Sequence, residues 1–234
     1  MNTSIKKRSA MSSGSFKHQI FGQFARVGKA LGNGYRLELL EFLAQGERSV
    51  DVLAKLAGLS VANTSQHLQH LRRAGLVSAR KAGLRVIYRL ADPAVIELLT
   101  VLRTLAEKNL AEVGKLVATH LSVKDQLEPV SAAQLLQRLR EGKVTALDVR
   151  PPEEFAAGHL PGAINIPLNE LETHLGDLPA DQVIVAYCRG PYCVLAYEAV
   201  ALLRSKGYTA QRLEAGYPEW QYAGLPVESA RSDI

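Results

Sequence analysis

The chain has 234 residues, of which 47% are hydrophobic and 22% are charged, a composition typical of a soluble globular protein rather than a disordered or fibrous one. Its length suits one large domain or two ordinary ones. No run of eighteen apolar residues occurs, so the sequence predicts no membrane span. The net charge is +5, and two cysteines are too few for a secreted disulfide framework, so the sequence favours the cytoplasm.

The charge is divided unevenly along the chain. Residues 1–125 contain 19 Lys and Arg against 9 Asp and Glu, a net charge of +10, whereas residues 126–234 contain 9 against 14, a net charge of −5. This asymmetry predicts a basic module that meets a polyanion and an acidic module with another task. A polar, proline-closed segment at 122–130 is the predicted linker between them, and short tails are predicted at 1–15 and 229–234.

The basic half is dominated by helical spacing of apolar residues, first over 16–31 and again over 36–43. A short helix is then predicted over 50–57. After a glycine-containing turn, Ser60 can cap a second helix that Gly75 terminates. Two helices across such a short turn predict a helix-turn-helix.

The second of these helices has two unlike faces. On a helical wheel one side is apolar and should pack inward: Val61, Thr64, Leu68 and Leu71. The opposite side is small, rich in amides and basic, and it presents Ala62, Asn63, Gln66, Gln69, His70 and Arg73. Amide side chains can pair with adenine in the major groove and arginine can reach guanine or phosphate, so this face predicts contact with double-stranded operator DNA.

Two strands and a long helix complete the basic half. The strands surround a turn with Arg80, Lys81 and Arg85 near its tip, which is typical of a winged-helix wing on the DNA backbone or minor groove. From 93 to 121 one amphipathic helix is predicted, with an apolar stripe that a small domain cannot cover alone. We therefore expect a homodimer, which would read a two-fold symmetric operator.

Residues 16–121 resemble the ArsR family of bacterial winged-helix repressors. The resemblance rests on L-A-K-L-A-G-L-S-V-A-N-T-S-Q-H-L-Q-H-L-R-R-A-G-L-V and on the wing R-K-A-G-L-R-V-I-Y-R-L. It implies a dimeric repressor that an inducer, often a metal ion, releases from DNA, with Ser65 and Gln66 at the DNA interface.

The chain departs from the metal-responsive members of that family. Where they carry a Cys-Val-Cys stretch, this chain has Ser49 and Asp51, and its basic half has no cysteine. His67 and His70 are spaced for a metal but lack a third ligand in the sequence nearby. The sequence therefore predicts neither a metal site nor a cofactor.

The acidic half alternates strands with helices, which predicts a small parallel α/β sheet. The predicted fold is thus multidomain: a mainly α-helical winged helix-turn-helix followed by an α/β domain over 131–228. One buried strand runs directly into Cys188, and ligands of such sheets sit at the carboxyl ends of strands. The loop and helix that follow should stabilise a thiolate or persulfide, so a reaction centre is favoured over a metal site or a structural disulfide.

This half resembles a single rhodanese domain. The motifs that carry the resemblance are L-D-V-R-P-P-E-E-F-A-A-G-H-L-P-G-A-I-N-I-P-L, C-R-G-P-Y-C and A-G-Y-P-E-W-Q-Y-A-G-L-P-V. It implies transfer of sulfane sulfur from thiosulfate or a persulfide to Cys188, and from there to cyanide or a thiol. The implied cradle consists of Arg189, Gly190, Pro191, Tyr192 and Cys193.

The other residues of these motifs have structural interpretations. Asp148, Arg150 and His159 are expected to hold loops in place, and Trp220 to lie in the core. Cys193 stands where many enzymes carry Arg, Thr or Ser, so the loop lacks a second cation for an anionic donor. Two interpretations of Cys193 stay open: a resolving thiol that attacks a Cys188 persulfide or sulfenic acid, or a small apolar residue at the start of a helix.

Two functions fit this sequence. The first is a DNA-binding regulator, a repressor, whose rhodanese domain senses or transfers sulfane sulfur through a Cys188 persulfide. The second is a sulfurtransferase enzyme whose winged helix serves only for dimerisation or localisation. The partners expected are operator DNA, a second copy of the chain, and a small sulfur donor or thiol acceptor, without a membrane.

Overall fold

The computed structural model describes residues 13–122 and 129–229. Most of the predicted tails and residues 123–128 of the predicted linker lie outside the described residues. In the two described ranges, no helix combines the length and the apolar character needed to cross a membrane.

The N-terminal half is a helical domain with a small antiparallel sheet. In chain order its elements are α1 (Ser13–Leu31), α2 (Gly34–Ala44), β1 (Arg48–Ser49), α3 (Val50–Leu56), α4 (Val61–Arg73), β2 (Val77–Ala82), β3 (Arg85–Leu90), α5 (Ala94–Asn109) and α6 (Ala111–Val117), followed by a π-helical turn (Ala118–Ser122).

Serine caps and one glycine define the helix-turn-helix, as the sequence predicts. The Ser49 side chain accepts a hydrogen bond from the Val52 backbone at the start of α3, and the Ser60 side chain accepts one from Asn63 at the start of α4. Gly75 ends α4 with φ at 76°, in the left-handed region that a side chain disfavours. The two helices thus begin and end at positions that local chemistry sets.

The wing is built from β2 and β3, and the strand order of its sheet is β1-β3-β2. Lys81 pairs with Val86 next to the turn at Gly83 and Leu84. Beneath the sheet, α2, α3 and α4 enclose one apolar core, whose fully buried members include Leu39, Leu40, Leu53, Leu68 and Leu71.

The single long helix predicted over 93–121 is wrong in its middle. The chain leaves helical geometry at Leu110, where φ is −112° and ψ is 103°, and α6 starts in a new direction. The Asn109 side chain donates to the Leu105 carbonyl in the last turn of α5. Beyond the break, Val113 and Val117 line a groove with residues of the C-terminal half, so the break places these two side chains beside that domain.

The C-terminal half is an α/β domain. Its elements are α7 (Ala132–Arg140), β4 (Val144–Asp148), α8 (Pro152–Ala157), β5 (Ile164–Asn165), a 3-10 turn (Leu175–Asp177), β6 (Val183–Tyr187), α9 (Val194–Ser205), β7 (Ala210–Arg212) and α10 (Tyr217–Tyr222). The strands form a parallel sheet in the order β5-β4-β6-β7.

The central strand β6 explains the two-sided core of this domain. Ile184 and Ala186 face one side of the sheet and pack with α9, whereas Val185 and Tyr187 face the other and pack with α7 and α10. A strand buried on both faces reads as a continuous apolar run, as this one does. Val130, at the end of the predicted linker, is already buried here and exchanges backbone hydrogen bonds with Arg212 and Glu214.

Candidate functional site

Helix α4 presents the polar face predicted for DNA contact. Six of its side chains are exposed, namely Ala62, Asn63, Gln66, Gln69, His70 and Arg73, and Ser65 is half-buried beside them. Thr64, Leu68 and Leu71 are buried on the opposite side. The helix can therefore enter a groove with its amide side chains free of the domain's own core.

Val61 does not pack inward as predicted, because 48% of its surface is exposed. It is the first residue of α4, so its side chain projects beyond the part of the helix that rests on the core. The adjacent inward position belongs to Thr64, whose hydroxyl donates to the Ser60 carbonyl.

The three basic residues predicted to contact DNA from the wing differ in their surroundings. Lys81 and Arg85 are exposed near the turn, but Arg80 forms an ion pair with Glu47, with 2.6 Å between Nη2 and Oε2. Arg85 lies on the same strand face as Arg89, at the edge of the cleft that separates the wing from α8 and α10. Of the three wing residues predicted to contact DNA, Arg80 thus has its positive charge partly compensated by Glu47.

Two helices of the N-terminal domain expose large apolar side chains. The exposed residues are Phe16, Ile20, Phe21 and Phe24 on α1, and Leu98, Val101, Leu102 and Leu105 on α5. On α5 they share one face, while Arg103 on the opposite face is directed at the C-terminal domain. Exposed apolar patches of this kind mark contact surfaces.

The cysteine loop connects β6 to α9. Cys188 follows the last residue of β6 and is 1% exposed, and half-buried Cys193 is the N-cap of α9. The two are joined by a disulfide across the loop, with 6.2 Å between their Cα atoms. The backbone amide of Cys193 donates to the Gly190 carbonyl, which tightens the turn. Both thiols of the chain thus meet at one end of one helix.

A glycine allows the loop to sit where it does. A Cβ atom added to Gly216 would lie 2.4 Å from the Gly190 backbone nitrogen and 2.5 Å from the Arg189 carbonyl. Next to it, the Tyr217 amide donates to the carbonyl of Cys188. The start of α10 therefore presses directly against the cysteine loop, and a side chain at position 216 would displace it.

Arg189 directs its charge away from the loop interior. Its guanidinium donates three hydrogen bonds to the buried carboxylate of Glu154, with 2.7 Å between Nη2 and Oε1. Arg48, from β1 of the N-terminal domain, pairs with the same carboxylate at 2.8 Å. Of the predicted cradle, the Arg189 side chain is thus already paired with Glu154.

The residues expected to hold loops do so. Arg150 and Asp148 form a fully buried ion pair, with 2.6 Å between Nη2 and Oδ2, and Arg150 also donates to the Gly158 carbonyl. His159 stacks on Phe155. Trp220 is fully buried, as predicted, and its indole nitrogen donates to the Pro226 carbonyl.

Charged groups of the N-terminal domain lie over the cysteine loop. The Glu41 carboxylate would be 3.3 Å from a Cβ atom on Gly190, and Arg103 reaches the same place. Burial raises the pKa of Glu41, although Arg103 opposes this shift. Tyr192 donates its hydroxyl to Glu107, and burial together with this hydrogen bond raises the pKa of the phenol.

The comparison with known proteins covers nearly the whole chain. Over 212 residues it is 46% identical to the HTH-type transcriptional regulator Rv0324 of Mycobacterium tuberculosis, covering 91% of this chain and 93% of that protein. The family profile described as bacterial regulatory protein, arsR family, matches residues 33–79, and the profile of the rhodanese-like domain matches residues 131–223. The chain belongs to the ArsR family of transcriptional regulators.

The family member described here carries a rhodanese domain as its C-terminal half, and separate proteins resemble each half. The thiosulfate:glutathione sulfurtransferase of Homo sapiens is 40% identical over 106 residues, covering 39% of this chain and 90% of that protein. A solution structure of a homodimeric winged helix-turn-helix DNA-binding domain (fragment 1–100) from Mycobacterium bovis is 38% identical, covers 47% of this chain and 94% of that chain, and has a TM-score of 0.38.

The sequence did not reveal the contacts between the domains of this ArsR-family chain. Gln45 at the end of α2 and Arg48 on β1 reach the C-terminal domain, and no local pattern announces such long-range partners. The available signal was weak: an amide and an arginine directly follow an apolar helix. Among the described residues, no group of three or more His, Cys, Asp or Glu side chains is arranged to hold a metal ion.

Proposed function

We propose that the chain is a cytoplasmic, dimeric repressor that binds operator DNA and changes its DNA affinity with the sulfur state of Cys188 and Cys193. The observation that carries the proposal is the position of these cysteines. They are the only two in the sequence, they meet in the rhodanese loop, and that loop touches the DNA-binding domain.

The DNA-binding part of the proposal draws on the exposed face of α4 and on the charge of the first half. Amide side chains on a helix supported by an apolar core suit base contacts, while basic residues of the wing suit the phosphate backbone. The exposed apolar faces of α1 and α5 support pairing with a second copy, because burying them removes apolar surface from water.

The sulfur chemistry follows from two thiols at the N-terminal end of α9. In the reduced protein the Cys188 thiolate attacks the outer sulfur of a persulfide R–S–SH, the S–S bond of the donor breaks, and R–SH leaves. Cys188 then carries a persulfide. The Cys193 thiolate attacks Sγ of Cys188, the bond to the terminal sulfur breaks, and hydrosulfide leaves as the Cys188–Cys193 disulfide forms. Cellular thiols can reverse the disulfide.

The test is operator binding by the full-length protein before and after treatment with a persulfide donor. We expect the treated protein to change its operator affinity about tenfold, which corresponds to about 1.4 kcal/mol. Cys188→Ser and Cys193→Ser should each remove this response and leave binding by the reduced protein intact. If both variants respond like the parent, the cysteines are not the sensor.

A second function is supported by the 40% identity to a human enzyme named as a sulfurtransferase. In that case the rhodanese domain turns over, and the N-terminal domain only dimerises or localises it. Repeated turnover with a thiosulfate or persulfide donor, together with equal affinity for the protein's own promoter and for random DNA, would favour this second function.

A further inference from the structure

Gln45 is the C-cap of α2 and lies at the boundary between the two domains. Only 3% of its surface is exposed. Its side-chain Nε2 donates to the Arg189 carbonyl at 3.1 Å, and its Oε1 accepts from Nη1 of Arg150 at 3.1 Å. One amide side chain of the DNA-binding domain therefore contacts both the cysteine loop and the buried ion pair behind it.

These two partners explain why a glutamine can be buried at this place. Glutamine is seldom fully buried, and a buried amide without hydrogen bonds costs free energy. Among the described residues of its own domain, the Gln45 side chain has one long contact, to the Glu41 carbonyl at 3.5 Å. The amide nitrogen and oxygen of Gln45 both have short hydrogen bonds only when the C-terminal domain supplies the Arg189 carbonyl and the Arg150 guanidinium.

On the loop side, Gln45 holds the carbonyl of the residue that follows the reactive cysteine. The Arg189 carbonyl belongs to the peptide between Arg189 and Gly190, which is the second peptide after Cys188. Opening the disulfide, or adding a sulfur atom to Cys188, changes the span between residues 188 and 193. The start of α10 also touches this peptide at Gly216, so the peptide is confined, and a change in the span displaces the carbonyl that Gln45 contacts.

On the DNA side, Gln45 ends a helix that supports α4. Leu39, Leu40 and Leu43 of α2 share one close-packed core with Leu68 and Leu71 of α4. Such cores transmit displacement rather than absorb it. A shift at the end of α2 is therefore carried to the helix that presents Gln66 and Arg73.

We propose that Gln45 is the positioning residue that couples the cysteine loop to the DNA-binding helix, through its hydrogen bond to the Arg189 carbonyl. This inference rests on the proposed function and specifies the contact through which the cysteine loop changes DNA affinity. Other contacts also hold the domains together, among them Arg48 with Glu154 and Arg103 with Glu219 at 3.1 Å. Loss of Gln45 should therefore uncouple the domains without separating them.

The experiment uses three full-length variants. Gln45→Ala removes both hydrogen bonds of the amide. Gln45→Glu keeps an acceptor for Arg150 but cannot donate to the Arg189 carbonyl. Gln137→Ala is the matched control, because Gln137 is an exposed glutamine on α7 whose side chain donates to Glu141, far from the boundary.

Two quantities are measured for each: operator affinity in the reduced and the disulfide state, and the reduction midpoint of the cysteine pair with and without operator DNA. The two quantities are thermodynamically linked: if reduction changes the affinity for operator DNA, then operator DNA changes the reduction midpoint. A tenfold difference in affinity between the two states therefore appears as a shift of about 30 mV in the midpoint. We expect the parent and Gln137→Ala to show both effects, and Gln45→Ala and Gln45→Glu to lose both while still binding DNA when reduced.

The outcomes separate the two proposals. If the parent responds and Gln45→Ala keeps the full response, the role assigned to Gln45 is wrong and the sensing function stands. If Gln45→Glu alone keeps it, the link runs through Arg150 and the bond assigned here is wrong. If the parent shows no difference in affinity between its two states, both proposals fail together.

Discussion

In the N-terminal domain α1 and α5 leave large apolar side chains in solvent, whereas in the C-terminal domain helices cover both faces of the sheet. Phe24 is 62% exposed and Leu105 is 55% exposed, while Trp220 is fully buried. The C-terminal core also encloses the ion pair of Asp148 and Arg150. One domain is closed, and the other has faces that a partner can cover.

The difference in apolar exposure indicates that the two domains have different roles. A closed domain gives its reactive loop a fixed support, because helices pack on both faces of the sheet that carries the loop. An open domain must assemble, and its stability then depends on concentration. Substitutions in the closed domain, in the open domain and at their boundary should therefore differ in effect, in decreasing order.

The largest effect is expected from Arg150→Ala. Removing one partner of a buried ion pair leaves an uncompensated charge, so the C-terminal domain should lose about 3–5 kcal/mol of its free energy of unfolding. The single tryptophan of the chain, Trp220, lies in this domain, so its fluorescence during urea unfolding reports on this domain selectively.

Lys206→Ala is the control for that loss. Lys206 pairs with Glu172 on the surface of the same domain, and exposed pairs contribute little because water screens them. Equal losses in the two variants would show that the buried pair does not set the stability of the closed domain.

Leu105→Glu tests the open domain. A leucine buried at an interface contributes about 1.5–3 kcal/mol, so dimer dissociation should become about tenfold to a hundredfold easier. Sedimentation equilibrium measures this change. Leu84→Glu, at the fully exposed turn of the wing, serves as the control, and it should leave the dimer unchanged.

Gln66→Ala tests DNA contact separately from assembly of the dimer. We expect a loss of about 1–2 kcal/mol of discrimination at one base pair, with the dimer intact. Arg73→Ala should instead weaken binding to all sequences and reduce the salt dependence. Binding titrations on operator variants at several salt concentrations distinguish these outcomes, and a uniform loss in Gln66→Ala would contradict the base contact.

The smallest effect concerns Glu41 at the domain boundary. Burial raises its pKa in the folded protein, so the protonated form is favoured there relative to the unfolded chain. Its stabilising contribution is therefore present below its ordinary pKa of 4.5 and is lost as the pH rises through the raised value.

Glu41→Gln should accordingly make the protein slightly more stable at neutral pH and flatten this part of its pH dependence. Thermal unfolding at several pH values measures both. The control is Glu172→Gln, because the pKa of that exposed carboxylate is lowered by Lys206, which gives the opposite sign.

Much of the fold follows from local chemistry and was predictable. Ser60 and Ser131 cap the helices they precede, and Gly75 ends α4. The rhodanese loop was predictable because β6 is a continuous apolar run that leads into Cys188. These features depend on residues within one turn or one strand.

The rest depends on residues far apart in sequence. Leu110 is neither proline nor glycine, so no local signal marks the break there, beyond which α6 lines a groove with the other domain. Strand β1 has two residues and exists because Arg48 and Ser49 pair with β3. Gln45 meets Arg150 over a separation of 105 positions, and such a partner is invisible to helical spacing.

The two faces of α5 have a consequence for the dose response. Its apolar face carries Val101 and Leu105, and its opposite face carries Arg103 and Glu107, which contact the C-terminal domain at Glu219 and Tyr192. In a dimer paired through α5, the two cysteine loops would be separated by little more than two helix diameters, each of about 10 Å. Reaction at one loop would then bias the other, and occupancy should rise with donor concentration as a sigmoid rather than a hyperbola.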